Sequence, residues 1–86
     1  MTWKIKIDDE AKKDLRDLDP QVKRKILSYL RERITKKPKD FGKPLSGDKA
    51  GLWSYRVQDY RIICRIKDDK LIVLVVGVGH RKEIYD

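Results

Sequence analysis

The sequence predicts an α+β domain in which a helical hairpin packs on one face of a mostly antiparallel four-stranded sheet. Three observations predict it. The chain opens on an alternating apolar–polar run. Two helical stripes follow, joined by almost no loop. The second half then holds three strand-like runs linked by short polar turns. Eighty-six residues (1–86) make a single domain. A chain of this size buries only about 60% of the surface its unfolded form exposes, so its stability is modest and a partner can add to it.

In TWKIKID, Trp3, Ile5 and Ile7 share one face and Thr2, Lys4 and Lys6 the other, the period of a strand buried on one side. Asp8 and Asp9 supply a capping side chain and acidic charge for a helix start, and Ala11, Leu15 and Leu18 follow at helical spacing. Asp19-Pro20 is a second start signal, a capping Asp before a Pro at the first helical position. Val22, Ile26, Leu30 and Ile34 then recur every four residues, widened by Leu27 and Tyr29. This helix should end near Lys36-Lys37, because Pro38 disfavours helical geometry in the residue before it. Both stripes need a surface to cover, and the Trp3–Ile5–Ile7 face provides it.

Residues 38–51 read as a loop, rich in Pro and Gly, with Leu45 as its anchor to the core. The strand-like runs are 52–57, 60–66 and 71–78. The last is apolar almost throughout, as a central strand covered on both faces would be. A two-residue turn at Gln58-Asp59 sets Tyr55 opposite Ile62 and Arg56 opposite Arg61. The two arginines then form a like-charged cross-strand pair, which costs up to about 1 kcal/mol. Two splayed side chains in water are one reading of that pair. A grip on an anion is the other, since two guanidiniums can chelate one phosphate. A turn at Asp68-Asp69 would place Arg65 opposite Ile72, Ile63 opposite Leu74 and Arg61 opposite Val76. The face away from the helices then has an apolar floor rimmed by Arg56, Arg61 and Arg65, and His80 and Arg81 emerge near the arginine pair.

Lys plus Arg total 22 against 14 acidic residues, a net charge of +8. That excess attracts polyanions, either nucleic acid or an acidic protein. Lys12, Lys13, Lys23, Arg24 and Lys25 fit the solvated faces of helices. No helix joins a basic face to a strong Trp/Phe/Leu face, and the longest apolar run is far too short to span a bilayer, so a membrane role is not expected. One cysteine, Cys64, permits no internal disulfide, and with no signal peptide a reducing cytoplasm is the default compartment. One His and one Cys cannot make a zinc site, so no metal or other cofactor is expected. Gly77-Val78-Gly79 is too short for a dinucleotide fingerprint, and nothing pairs Ser46 or Ser54 with a histidine and a carboxylate.

What remains is a basic cluster with one imidazole, His80, and one late phenol, Tyr85. That set suits RNA cleavage without metal. The ribose 2′-OH attacks the adjacent phosphorus and the 5′-oxygen leaves, which needs a base, an acid and positive charge where the phosphorane gathers negative charge. An imidazole can take or give the proton, which makes His80 a candidate, and Tyr85 can stack on a base or join the proton transfer.

The segments KPLSG (43–47), LWSYRV (52–57), YRIICRI (60–66) and VGHRKEIYD (78–86), in this order and spacing, resemble the RelE/ParE toxin superfamily, specifically its RelE branch. The resemblance implies a RelE-like fold and the toxin of a type II toxin–antitoxin pair. It also implies an endoribonuclease that cuts mRNA in the ribosomal A site and a RelB-like antitoxin that covers the toxin with an acidic, amphipathic segment. The toxin itself would be monomeric within that complex. By matching motif, Arg56, Arg61 and Arg81 correspond to basic residues that bind and act on the substrate phosphate, and Tyr85 to the tyrosine that stacks on the substrate. One departure stands out. Some members carry a lysine two residues before the Arg56 position, where this chain has Ser54, and this leaves the general base open, with His80 a candidate. A ParE-like gyrase inhibitor and an inactive RelE-fold binding module remain the alternatives. ParE-type chains share the fold without this arginine–tyrosine set.

Overall fold

The structure, a computed structural model, describes residues 2–80. It opens with strand β1 (Lys4–Ile7), then helices α1 (Asp9–Arg16) and α2 (Pro20–Tyr29). The Asp8 side chain accepts from Asp9 N at 2.6 Å, and Asp19 caps α2 by accepting from Gln21 N at 2.8 Å with Pro20 in the first turn. Both start signals in the sequence therefore operate as capping groups.

α2 does not run on as a regular helix. It passes into a π-turn at Leu30–Ile34, with Thr35 N donating to Leu30 O at 3.1 Å. The physical reason lies in the spacing of four. On a 3.6-residue helix a four-residue stripe drifts about 40° per step, and widening the last turn removes that drift. Ile26, Leu30 and Ile34 are all buried as a result. Trp3 N then donates to Thr35 O at 2.7 Å and ties the end of this helix to the entry of β1.

The segment expected to be loop contains structure. Pro38–Phe41 forms a single turn, α3, and Lys43–Pro44 forms a short strand, β2. The remaining strands are β3 (Leu52–Val57), β4 (Tyr60–Lys67) and β5 (Ile72–His80). The sheet therefore has five strands, not four, in the order β1-β5-β4-β3-β2. It is mostly antiparallel, but β1 pairs parallel to β5, with Ile5 beside Val73 and Ile7 beside Val75. β2 escapes a reading by period because it is two residues long and ends in Pro44, which cannot donate to a ladder and is tolerated at an edge. Leu45 is not part of the buried core; its N–H donates to Leu52 O at 2.9 Å, just beyond β2.

The helices cover one face of the sheet. Ala11, Leu15, Ile26, Leu30 and Ile34 meet Tyr55, Ile62, Cys64, Val73, Val75 and Val78 in one core. Each large aliphatic side chain withdrawn this way contributes roughly 1.5–3 kcal/mol. β5 is central in its pairing but not covered by helices on both faces, and Ile72, Leu74 and Val76 are only half-buried. Among the described residues no helix is long and apolar enough to cross a membrane.

Burial pushes the Cys64 thiol up to about 12 from an ordinary value of 9.0. The unfolded chain then releases this proton more readily than the folded one. Stability should be level below pH 9 and fall as pH climbs from 9 towards 12, and Cys64→Ala should flatten that slope. Denaturant midpoints measured across that range check it, and the native thiol should resist a water-soluble disulfide reagent at pH 8 until the protein is unfolded.

Candidate nucleic-acid interface

The β3–β4 hairpin has the register that a Gln58-Asp59 turn requires. Ser54 pairs with Ile63, Tyr55 with Ile62, and Arg56 with Arg61. Tyr55 and Ile62 enter the core, so Arg56 and Arg61 stand together on the helix-free face. The turn is closed by Gln58 in the left-handed region (φ 55°), and Arg56 Nε donates to Gln58 O at 3.3 Å.

The β4–β5 register differs from expectation. Asp68–Lys70 form a 3-10 turn and Leu71 takes a left-handed conformation (φ 53°), so the strands meet two residues later than a tight turn would allow. Arg65 lies opposite Leu74 rather than Ile72. Then a bulge intervenes: Cys64 pairs with Val75 but Ile63 pairs with Gly77, leaving Val76 as the extra residue. Beyond it Arg61 lies opposite Gly79, not Val76, and Tyr60 lies opposite His80.

The bulge changes which face each later side chain occupies. Val78 turns into the core, and His80 joins Tyr60, their ring centroids 5.6 Å apart at 77°. Tyr60 packs against the core on the helix side. The structure therefore separates His80 from the Arg56–Arg61 pair by the thickness of the sheet. Arg81 and Tyr85 lie outside the described residues.

β1 stops pairing with β5 at Val75, and past that point the Asp14 carboxylate on α1 accepts the Val78 N–H at 3.0 Å. Nothing in the sequence marks Asp14 for this role, which depends on a contact 64 residues away.

On the helix-free face, Lys4, Lys6, Lys43, Arg56, Arg61, Arg65 and Lys67 follow from the strand pairings, and among the described residues no strand contains an Asp or Glu. A cavity of about 170 Å³ opens beside the arginine pair, lined by Phe41, Lys43, Ser54, Arg56 and Arg61. Larger grooves of about 700 and 470 Å³ run along the helices, but they mix charges: Asp9 lies among lysines in one and Glu32 among Arg24, Lys25 and Arg33 in the other. The small cavity alone of these is lined by cations without a carboxylate, which suits one phosphate. No cluster of three or more His, Cys, Asp or Glu able to hold a metal occurs among the described residues.

Residues 5–85 match the family profile described as the ParE toxin of type II toxin–antitoxin systems, parDE. The chain is similar to toxin RelG of Mycobacterium tuberculosis, 31% identical over 85 residues that cover 99% of this chain and 98% of the relative. Its fold is similar to a chain in the crystal structure of the toxin–antitoxin complex RelBE2 from Mycobacterium tuberculosis. There the TM-score is 0.90 at 28% identity, covering 96% of this chain and 95% of the other. A mutant of E. coli toxin RelE in the free state shares the fold with a TM-score of 0.82 at 23% identity, covering 98% and 88%.

Two stability measurements probe this geometry. Arg56→Glu replaces a like-charged cross-strand pair with an opposite one, and should leave the midpoint of urea unfolding unchanged or raise stability by up to about 1 kcal/mol. Gly42→Ala should do the reverse. A Cβ there would stand 2.6 Å from the Tyr55 ring and 2.8 Å from the Ser54 carbonyl oxygen, and overpacking of this kind costs roughly 1–3 kcal/mol.

Proposed function

The chain belongs to the RelE/ParE family of toxins from type II toxin–antitoxin systems, and from that premise we propose that it is a metal-independent endoribonuclease cutting mRNA in the ribosomal A site. The observation that supports this reading is the cation-lined cavity at the Arg56–Arg61 pair. A chain selected only for a stable hairpin gains nothing from two guanidiniums side by side. A phosphate between them converts that repulsion into two charge-assisted interactions, and these strengthen as the phosphorane accumulates charge.

In this reading Arg56 and Arg61 hold the scissile phosphate while the 2′-oxygen attacks phosphorus and the 5′-oxygen departs. Arg81 adds a further cation and Tyr85 stacks on a base, roles that rest on the motif VGHRKEIYD. His80, set against Tyr60 on the other face, is a poor candidate for the general base, and its contact there suits packing of the strand end. The partner in neutral storage is a RelB-like antitoxin, whose acidic, amphipathic segment would suit the cationic face with its half-buried Ile72 and Leu74. The known complex of a similar toxin with its antitoxin supports that part. The cation-lined cavity supports RNA cleavage over gyrase inhibition in this reading, because a pocket for one phosphate is what a nuclease needs.

Arg61→Ala should lower single-turnover cleavage of ribosome-bound mRNA by about 10²–10³-fold, the usual loss when one group stabilising a developing oxyanion is removed. The thermal midpoint should change little. Expression of the parent chain should arrest growth and leave transcripts cut within codons. Double-strand DNA breaks with intact transcripts would instead favour gyrase.

A further inference from the structure

We propose that Lys43 is a third phosphate-binding cation of this site, seated by β2 in the space that Ser54 leaves open. The inference rests on the nuclease reading above for its substrate, and on geometry for its place.

β2 pairs with β3 so that Lys43 lies directly opposite Ser54. Directly paired side chains share a face, so Lys43 stands on the face of Arg56 and Arg61. Arg56 is two residues along β3 from Ser54, which makes it the diagonal neighbour of Lys43, a separation of roughly 7–8 Å that a long side chain spans. All three cations line the same cavity, together with Ser54 and Phe41.

The chain holds Lys43 there at some cost in packing freedom. Gly42 lets the backbone pass against the Tyr55 ring and the Ser54 carbonyl, closer than any side chain would permit. Tyr55 is fixed in turn by donating its hydroxyl to Pro38 O. A lysine kept only to protect an exposed sheet edge could sit at any outward position of the loop. This one is directed to the spot where it adds to the repulsion between Arg56 and Arg61. A serine at position 54 is too short to reach an anion with charge, whereas the lysine across from it brings an ammonium to the same place from the neighbouring strand.

The decisive test moves the ammonium from one strand to the other. Lys43→Ala should reduce single-turnover cleavage of ribosome-bound mRNA by about 10²-fold. Lys43→Arg should retain activity within about tenfold, and the double variant Lys43→Ala/Ser54→Lys should recover at least about tenfold over Lys43→Ala. Cleavage by Lys43→Ala within twofold of the parent overturns the proposal, as does a loss that neither Lys43→Arg nor the relocated lysine repairs.

A second readout is independent of cutting. Binding of a short 2′-O-methyl RNA, which lacks the attacking hydroxyl, should weaken with salt. Its log–log slope should flatten by about 0.7 in Lys43→Ala, one single-strand phosphate contact, and return when lysine is placed at position 54. Equal slopes in parent and Lys43→Ala overturn the assignment. A parent that shows the Lys43-dependent slope yet cuts no ribosome-bound mRNA sinks the nuclease reading and leaves Lys43 as a phosphate contact.

Discussion

Between Cys64 and Ile63 the chain of β4 advances one residue while β5 advances two, from Val75 to Gly77. Alternation along a strand makes that single insertion decisive, because every later side chain changes face. Val78 reaches the core and His80 meets Tyr60. Gly77 and Gly79 come to lie across from Ile63 and Arg61, so the residue paired directly with Arg61 is a glycine. The Asp14 carboxylate holds the far edge of the same segment by taking the Val78 N–H, where β1 has already turned away into α1. Removing that acceptor would leave a backbone donor unpaired at the point where the strand's direction matters most.

The opposite wall of the cavity depends on a second close approach. Pro38 begins a turn whose carbonyl receives the Tyr55 hydroxyl, Phe41 packs edge-on to Tyr29, and Gly42 lets β2 lie against β3. Burial keeps the Tyr55 phenol protonated well beyond its ordinary range, so this donor is constant at any pH the protein meets. Helices and turns carry acidic and basic side chains together, whereas the open face of the sheet carries cations and, among the described strand residues, no carboxylate. That segregation is a choice against stability, because like charges on adjacent strands repel.

Some of this was legible in the residues alone. The Arg56–Arg61 pair was readable because a two-residue turn fixes every pairing beyond it. Both helix starts were readable because Asp8 and Asp19-Pro20 act locally. The second hairpin was not readable in the same way. Its loop has a left-handed Leu71 in place of a glycine, and the one mark of its bulge is Gly77, a strand glycine that does not say which residue is extra. The two shifts together moved Arg61 from Val76 to Gly79 and took His80 to the other face. Lys43 was hidden for a different reason: β2 is too short to show a period. The available signal was Gly42, a residue without a side chain directly before a lysine and a proline, at a place where two backbones must approach. The spacing of four in α2 was visible too, and its excess over 3.6 was the mark of the π-turn.

An uncovered sheet face that carries seven cations and, among the described strand residues, no carboxylate has a simple thermodynamic consequence. Each positive group there raises the free energy of the folded state relative to a chain in which the same groups are far apart. A polyanion seated on the face removes that repulsion and adds its own attraction, so binding and stability draw on the same term. On the reading proposed above, RNA phosphates and an acidic protein segment would be equivalent in this respect, since both would meet Arg56, Arg61 and Lys43 as negative charge. They differ in what else they can use. A phosphate is small enough to enter the cation-lined cavity at the arginine pair. A protein segment can also cover Ile72 and Leu74, the half-buried apolar side chains between Lys4, Lys6 and Arg65. On that reading one face would serve a substrate by its cavity and an inhibitor by its breadth, and the repulsion within the free domain would favour both.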